Sequence, residues 1–516
     1  MRKVIIHQSS SIMEVALFLL SVSLPLLLLI KLRSYYNRKL NRRPPGPRGL
    51  PWIGNLHQFD SINPHIYLYQ LSLKYGPLMS LRLGSVQTLV ISSASAAKEV
   101  FKNHDLCFSG RPTFVGSQKV SYNSKDIVFS PYNEYWRDMR KICNLHLFSS
   151  KRSESFQPVR EQEVAQMVKT IRDGAAAADS HIVNLSKTLM TLTSSIMFRI
   201  TFGKGYDDED GAEKDNNMSS RFHWLLAESQ STVVSFFLTD YFPVIGRLID
   251  TLSGKCGRLE KSFNALDSFY QQLIDEHLRA STEYGQYTSI LEILLQMKKD
   301  SREFMLDHVK AILSDVIVAA SDSSAAAVVW AMTLLIKSPS TMKKAQQEVR
   351  ELTGKKGFVD ENDVQKLVYL KAVVKEAMRL NPIAPLLVPK ETIEKCVING
   401  YEIKAKTLVY VNVHAIGRDP ESWEDPNEFL PERFINSSID FKGQDFELIP
   451  FGVGRRICPG ITMGVATTEL ALANLLYSFN WELPSGMKKE DIDMDTLPGI
   501  TMHKKNHLCL VPQIVN

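Results

Sequence analysis

The ten residues FGVGRRICPG, numbers 451–460, place a single cysteine in a glycine-rich loop just before an apolar helix. Apolar residues recur at helical spacing from Ile461 to Leu476, which predicts that helix. Because proline suits the first helical position, we expect Pro459 to begin the helix and Cys458 to lie at its cap. Unpaired N–H groups and the helix dipole favour a thiolate there. A buried structural cysteine is the alternative interpretation.

The same stretch matches F-x-x-G-x-R-x-C-x-G at every specified position and therefore resembles the haem-binding loop of the cytochrome P450 family. The resemblance implies a haem b cofactor (iron protoporphyrin IX), with Cys458 as the metal ligand and Phe451, Gly452 and Arg456 as cofactor-binding residues. A thiolate ligand pushes electron density onto the iron and favours O–O cleavage. A cysteine-nucleophile hydrolase is disfavoured, because the motif places no paired histidine near Cys458.

The composition favours one large domain, and it argues against a nucleic-acid partner and a zinc site. The 516 residues carry a net charge of +5 and six cysteines, which form no C-x-x-C pair and no zinc spacing. The modest charge, without a basic stripe interleaved with aromatic residues, argues against a nucleic-acid partner. Scattered cysteines in a long chain indicate a reducing compartment. Length alone suggests roughly three domains, but no long linker or repeat divides the chain.

The N-terminus predicts a membrane anchor. A short segment, residues 1–14, precedes an uncharged leucine-rich run at residues 15–30, and a basic, proline-rich hinge follows at residues 31–47. The run is near the short end of a membrane span, and a cleavable signal peptide is the alternative. Excess Lys and Arg after the run predict that the catalytic domain, residues 48–516, faces the cytosol. In the resembled family this junction implies a single-pass protein of the endoplasmic reticulum membrane.

Several residues distant from Cys458 in the sequence have side-chain N–H donors and are candidates for binding carboxylates. Trp136 and Arg140 lie at i, i+4 spacing on one helix face, and both side chains are donors. The pair resembles the W-x-x-x-R of the family's C helix, which implies that both hold a haem propionate. By the same resemblance, Arg111 and Lys390 stand where basic residues often reach a propionate. A solvated loop charge is the alternative for Arg111.

Residues 306–336 are apolar nearly all round and predict a long buried helix. In its middle, the string AASDSS at residues 319–324 resembles the family's oxygen-activation motif, A-G-x-D-T-T/S. The resemblance implies that Asp322 and Ser323 deliver protons. Two positions depart from the motif, since Ala320 replaces glycine and Ser323 replaces threonine, which leaves an altered oxygen chemistry open. Polar groups satisfied within their own helix are the alternative.

Glu376, Arg379 and Arg433 resemble the family's E-x-x-R plus P-E-R-F triad, which is structural and pins the backbone behind the cysteine. By itself, the i, i+3 pair would be an ordinary surface contact. The resemblance also implies substrate-pocket residues on the long helix, in an expected strand at 383–388 and in a turn at 497–501. Those residues are Ala319, Ala320, Val388 and Ile500.

The expected fold is mainly α with a small β region (α+β), in the arrangement of the cytochrome P450 family. Runs at residues 78–83 and 88–92 predict a β-hairpin, whereas residues 241–246 are apolar and loop-like. Details of the motifs resemble plant A-type microsomal members. They imply a monooxygenase that oxidises an apolar small molecule with O2 and electrons from NADPH through NADPH-cytochrome P450 reductase. Two alternatives stay open: an oxidative rearrangement, coupling or dehydration without net hydroxylation, and a non-catalytic haem-binding protein.

Overall fold

The computed structural model describes residues 43–177, 182–205, 216–233, 235–279 and 288–515. The predicted N-terminal segment, the transmembrane anchor and most of the hinge lie outside these residues, and they stay predictions.

Helices carry most of the described chain, as expected. In chain order the α-helices are α1 (Pro64–Tyr75), α2 (Ala94–Lys98), α3 (Val115–Val120), α4 (Glu134–His146), α5 (Ser150–Ser155), α6 (Gln157–Ala177), α7 (Leu185–Phe202), α8 (Asn216–Val233), α9 (Leu238–Tyr241), α10 (Pro243–Leu252), α11 (Lys255–Arg279), α12 (Ile290–Asp300), α13 (Leu306–Lys337), α14 (Pro339–Thr353), α15 (Glu361–Val364), α16 (Val368–Leu380), α17 (Val413–Ile416) and α18 (Ile461–Ser478). Short 3₁₀ turns include Pro431–Phe434 and Gly454–Arg456.

The β structure is small and lies in separate sheets. The strands are β1 (Leu78–Leu83), β2 (Val86–Ile91), β3 (Val183–Asn184), β4 (Lys390–Glu391), β5 (Cys396–Ile398), β6 (Tyr401–Ile403), β7 (Leu408–Val411), β8 (Phe479–Glu482) and β9 (Cys509–Ile514). One sheet has the order β1-β2-β7-β4, a second has the order β3-β9-β8, and β5 pairs with β6. The predicted hairpin is confirmed, because β1 and β2 pair antiparallel with Leu83 opposite Val86.

Helix α13 is the centre of the molecule. It spans 32 residues, most of which are buried, and it packs against α7, α16 and α18. A helix that is apolar on all sides is stable in water only when other elements cover it. Among the described residues it is the one helix long and apolar enough to cross a membrane, but 72% of its most apolar window is buried inside the protein. Its composition is therefore that of a core helix.

Three local expectations were wrong. Residues 241–246 are not a loop throughout, because Pro243 begins α10 in the N1 position, where its missing N–H costs nothing. No strand forms at residues 383–388, where Leu387 has a φ of 54° that is incompatible with extended pairing. The helix after the cysteine begins at Ile461 with Gly460 as its N-cap, so Pro459 precedes it.

Candidate functional site

A cavity of about 510 Å³ lies between α13 and the loop of residues 451–460, called here the cysteine loop. Further lining comes from the segment before α4, the chain before β4 and the turn near residue 500. The predicted site residues on its surface are Arg111, Arg140, Ala319, Ala320, Asp322, Ser323, Val388, Phe451, Gly452, Arg456, Cys458 and Ile500. Predicted site residues that are spread over some 390 positions of the sequence therefore line the same cavity.

The cysteine loop is held by its own backbone and by a carboxylate. The N–H of Cys458 donates to the carbonyl of Phe451 over 3.0 Å, which closes the loop. Gly454 has a φ of 72°, and a Cβ there would overlap the carboxylate of Asp105. That carboxylate accepts from the N–H of Arg455 at 3.1 Å and from its guanidinium at 2.7 Å. Glycine is therefore required at 454 both for its backbone conformation and for this close approach.

The protonation of Cys458 differs from the expectation. Burial raises the pKa of the thiol, and only part of that effect is offset by the N–H of Gly460 and by the positive charge of Arg140. The helix dipole had been expected to dominate, but α18 begins three residues beyond the cysteine and the sulfur is desolvated. The chain alone therefore favours a neutral thiol, and a metal bound at this sulfur would favour the thiolate.

Four basic side chains form the cation cluster: Arg111, Arg140, Lys390 and Arg456. Burial lowers the pKa of Arg111 to about 10 and that of Arg456 to about 8, and neighbouring guanidinium groups lower both further. The pKa of Arg140 is also lowered by burial. The carboxylate of Asp126 raises the pKa of Arg111 and Arg456, but burial and the like charges outweigh it, so a further anion would be favoured here.

Backbone carbonyls orient the guanidinium groups of the cluster. Arg111 donates to Val128 O at 2.8 Å and to Val388 O at 2.7 Å. Arg456 donates to Ser109 O and Ser130 O, at 3.0 Å and 2.6 Å. Arg140 donates to the carbonyl of Ile457, directly beside the cysteine. The orientations are therefore set by the fold.

Lys390 has no such partner. Its side chain is 3% exposed, and its ammonium finds no hydrogen-bond partner among the residues that the structure describes. Burial and the charge of Arg111 hold its pKa well below the usual range. An unsatisfied buried donor beside the guanidinium groups of Arg111 and Arg456 fits a ligand that brings carboxylates. The two propionates of haem meet that requirement, and the thiol of Cys458 on the same cavity meets the iron's need for a ligand.

Trp136 supports the cluster from behind. Its indole N–H donates to Ile127 O at 2.9 Å, and the guanidinium carbon of Arg456 lies 4.0 Å from its ring centroid. The stack is a cation–π contact that fixes Arg456. Trp136 is not part of the cavity lining. Its predicted contact with a propionate stays a prediction.

The expected triad lies together and is buried. Glu376 pairs with Arg379 at 2.7 Å and with Arg433 at 3.0 Å, and the first pair is 0% exposed on both sides. Arg379 also donates to Pro426 O and Glu428 O, at 2.7 Å and 2.9 Å. The triad ties α16 to the chain that leads into the cysteine loop.

The middle of α13 forms another part of the cavity lining. The hydroxyl of Ser323 donates to Ala319 O, one turn earlier, at 2.7 Å. This is the bond expected if the polar side chains of this helix are satisfied within the helix itself. From α7, the hydroxyl of Thr193 donates to Ser321 O at 2.6 Å. Asp322 forms an ion pair with His503, with Oδ1 and Nε2 2.6 Å apart.

Sequence reasoning missed His503, and it missed a pair of carboxyl groups, Asp126 and Asp315, that join the segment before α4 to α13. Oδ2 of Asp315 accepts from the N–H of Ile127 at 2.8 Å, and Asp126 accepts from Ser130 N at 2.9 Å. Burial raises the pKa of both carboxyl groups, to about 6 for Asp126. No local sequence pattern marks the pair of Asp322 with His503 or the pair of Asp126 with Asp315, because each pair joins elements far apart in the chain.

Comparison with known proteins gives consistent results. The family described as cytochrome P450 matches residues 44–511. A 6,7,8-trihydroxycoumarin synthase from Pastinaca sativa is 48% identical over 91% of this chain and 93% of its own. A strychnine-11-hydroxylase from Strychnos nux-vomica is 45% identical over 94% of each. A zebra fish cytochrome P450 solved with abiraterone has a TM-score of 0.72 and 22% identity, covering 88% of this chain and 99% of its own.

Proposed function

The chain belongs to the cytochrome P450 family, as a plant A-type member, and we propose that it hydroxylates an apolar fused-ring molecule of plant specialised metabolism. As a monooxygenase of this family it carries haem and receives electrons from a reductase. A haem iron with a thiolate ligand supplies the activation of dioxygen. The observation that carries the proposal is the convergence of Cys458 and the cation cluster on one largely apolar cavity.

Cys458 is the proposed iron ligand. Arg111, Arg140, Lys390 and Arg456 are the proposed partners of the propionates, with Trp136 holding Arg456 in place. Phe451 and Gly452 complete the surface against which the cofactor would lie. Support comes from the unsatisfied ammonium of Lys390 and from guanidinium groups already oriented by carbonyls, because such groups pair strongly with carboxylates.

Asp322 and Ser323 are the proposed proton-handling groups, and Ala319, Ala320, Val388 and Ile500 are the proposed substrate neighbours. The residues that line the cavity near these four are mostly apolar and add only a few polar groups, among them Gln230 and Ser231 of α8. An apolar body therefore gains most of its binding free energy from burial. One or two oxygen or nitrogen atoms of the substrate would bond to Gln230 or Ser231.

The relatives favour the same substrate class. They are named for a trihydroxycoumarin and for strychnine, which are both rigid fused-ring molecules. A rigid ligand loses little conformational entropy when it binds, so a mostly apolar cavity suffices to hold it.

We place the protein at the cytosolic face of the endoplasmic reticulum, anchored through residues 15–30, with NADPH-cytochrome P450 reductase as its electron donor. Support comes from α10, where Val244, Leu248 and Leu252 are 86%, 62% and 79% exposed. A contiguous apolar helix face of this kind marks a membrane or protein contact. The reductase would dock on the side of Cys458, where Arg137 and Lys141 could face an acidic partner.

Labelled dioxygen tests the proposed reaction. The full chain, loaded with haem and reconstituted with reductase in phospholipid vesicles, is given ¹⁸O₂, NADPH and a panel of coumarin and alkaloid probes, chosen first by the shift each causes in the Soret band. We expect one labelled oxygen atom in the product. A product that carries no label would instead support an oxidative rearrangement, coupling or dehydration. No shift and no turnover with any fused-ring probe would contradict the substrate class.

A further inference from the structure

The acid in the middle of α13 points to the C-terminal part of the chain. Oδ1 of Asp322 lies 2.6 Å from Nε2 of His503, and within the described residues this is its only ion pair. The Asp322 side chain is 4% exposed, whereas that of His503 is 26% exposed. Both residues line the cavity. The imidazole is therefore the more exposed of the two groups.

The turn that carries His503, residues 496–504, is fixed against α13. Leu497 N donates to the carbonyl of His503 at 2.9 Å, and Met502 N donates to Ile383 O at 2.7 Å. The indole N–H of Trp330, which follows Asp322 on α13, donates to Met502 O at 2.7 Å. The imidazole is consequently held at a constant position relative to Asp322.

Charge favours a proton on this imidazole. Burial lowers the pKa of His503, but the close contact with the negatively charged carboxylate of Asp322 outweighs burial and raises it above its usual 6.5. The neighbouring cation, Lys504, pairs with Asp493 at 3.0 Å and not with Asp322. Asp322 is thus the charged group that determines the protonation of His503.

We propose that His503 is the positioning residue that holds a proton on Nε2, passes it to Oδ1 of Asp322 and replaces it from water. In each cycle Asp322 gives up one proton into the cavity, the imidazolium then returns a proton to the carboxylate and becomes neutral, and the imidazole takes one proton from solvent, so charge and atoms balance. The inference rests on the proposed role of Asp322. It makes the turn at residues 496–504 part of the proton supply as well as of the pocket.

The identity of the side chain separates a relay from a plain ion pair. A guanidinium would neutralise Asp322 equally well, but it keeps its proton at every physiological pH. Imidazole exchanges its proton near neutrality. His503→Arg therefore preserves an ion pair while removing proton exchange, and His503→Gln preserves a neutral donor of similar reach.

The test uses the full-chain holoenzyme reconstituted with reductase in phospholipid vesicles and measures NADPH oxidation and hydrogen peroxide release without added substrate, in H₂O and D₂O. The variants are His503→Gln, His503→Arg, Asp322→Asn and the double variant His503→Gln/Asp322→Asn. His507→Gln is the matched control, because His507 is an exposed histidine of the same C-terminal segment whose ring bonds Asn184. The spectrum of the reduced, CO-bound protein verifies haem loading in each.

We expect His503→Gln and His503→Arg to lower NADPH oxidation by about tenfold or more, within the range of general acid catalysis. The wild-type rate of NADPH oxidation should fall as the pH rises through the raised pKa of His503. This fall with pH should be absent in both variants. The double variant is no slower than Asp322→Asn, because both changes block one route. His507→Gln keeps the wild-type rate and pH profile.

A second readout does not depend on turnover. Because the folded pKa of His503 is raised, the ion pair stabilises the protein below pH 6.5 and this stability is lost as the pH rises through the folded pKa. The Tm difference between wild type and His503→Gln should follow that course.

Three results would overturn the inference: a wild-type rate and pH profile in His503→Arg, single-variant losses that multiply in the double variant, or a pH-independent Tm difference. If Asp322→Asn alone keeps the wild-type rate, the proposed role of Asp322 fails as well. If only the His503 variants are unaffected, that role survives and this inference falls.

Discussion

The two sides of the cavity are built differently. At the cysteine loop, the groups that orient the site are backbone carbonyls, such as those of Val128, Val388 and Ile457, and the guanidinium groups donate to them. In the middle of α13, the hydroxyl of Ser323 bonds its own helix, and Asp322 depends on one imidazole from a distant turn. In the function proposed above the difference separates two tasks: the loop side would hold the haem, and the α13 side would supply protons.

The largest expected effect is on the loop side. Cys458→Ser replaces the sulfur with a hydroxyl of similar size, which is a much poorer iron ligand, so product formation should cease. The Soret band typical of thiolate ligation should also disappear from the spectrum of the reduced, CO-bound protein. Cys143→Ser, at a buried cysteine outside the cavity, is the control and should keep the band. A persistent band in Cys458→Ser would remove this residue as the ligand.

The next effect is on stability behind the loop. Glu376→Gln leaves Arg379 and Arg433 without their buried counter-charge, and breaking a buried pair costs about 3–5 kcal/mol. Urea unfolding of the holoprotein measures the loss. Glu402→Gln is the matched control, because its pair with Lys395 is exposed and contributes at most about 1 kcal/mol. Equal losses in the two variants would mean that the triad does not support the loop.

Lys390→Met is expected to act in opposite directions with and without haem. Without haem it removes a buried amine that has no hydrogen-bond partner, so the Tm of the apoprotein should rise, since such a group costs about 1–3 kcal/mol. With haem it removes a propionate partner, so transfer of haem to an acceptor such as apomyoglobin should become several-fold faster.

Lys404→Met, at an exposed lysine of the same region, should change neither quantity. If Lys390→Met retains haem as well as wild type does, Lys390 has no carboxylate partner, and the fit of the cation cluster to propionates weakens.

The smallest effect is expected on the α13 side. Restoring the family's residues through Ala320→Gly and Ser323→Thr should raise product formed per NADPH by about twofold, if the departures merely slow proton delivery. Product and NADPH are measured with the best fused-ring probe. Ala327→Gly, farther along the same helix, controls for helix destabilisation. Unchanged coupling would mean that these two residues determine something other than proton supply.

Sequence patterns predicted the loop side better than the α13 side, for a physical reason. The closure of residues 451–460 depends on local turns and on glycine at 454, and local geometry leaves a recognisable string. The contact between Asp322 and His503 joins positions 181 residues apart, and a single histidine at that distance forms no recognisable sequence pattern. The protonation of Cys458 was misjudged because the dipole of a helix can be read from sequence, whereas burial cannot.

The same reason explains the local errors in the fold. Leu387 adopts a left-handed conformation that neither its residue type nor its apolar neighbours indicate. The helix α10 was not predicted, because its apolar residues face outward and are not the stripe of a core helix. The long buried helix α13 and the β1–β2 hairpin were predicted correctly. The helix has a long apolar run, and the hairpin has two apolar runs separated by a turn.

The cation cluster also has a consequence for biogenesis. The guanidinium groups of Arg111 and Arg140 lower the pKa of Arg456, so the apoprotein contains a repulsion that the propionates of a haem bound as proposed would relieve. We therefore expect haem binding to stabilise the folded chain, so the yield of mature protein should follow the supply of haem in the cell.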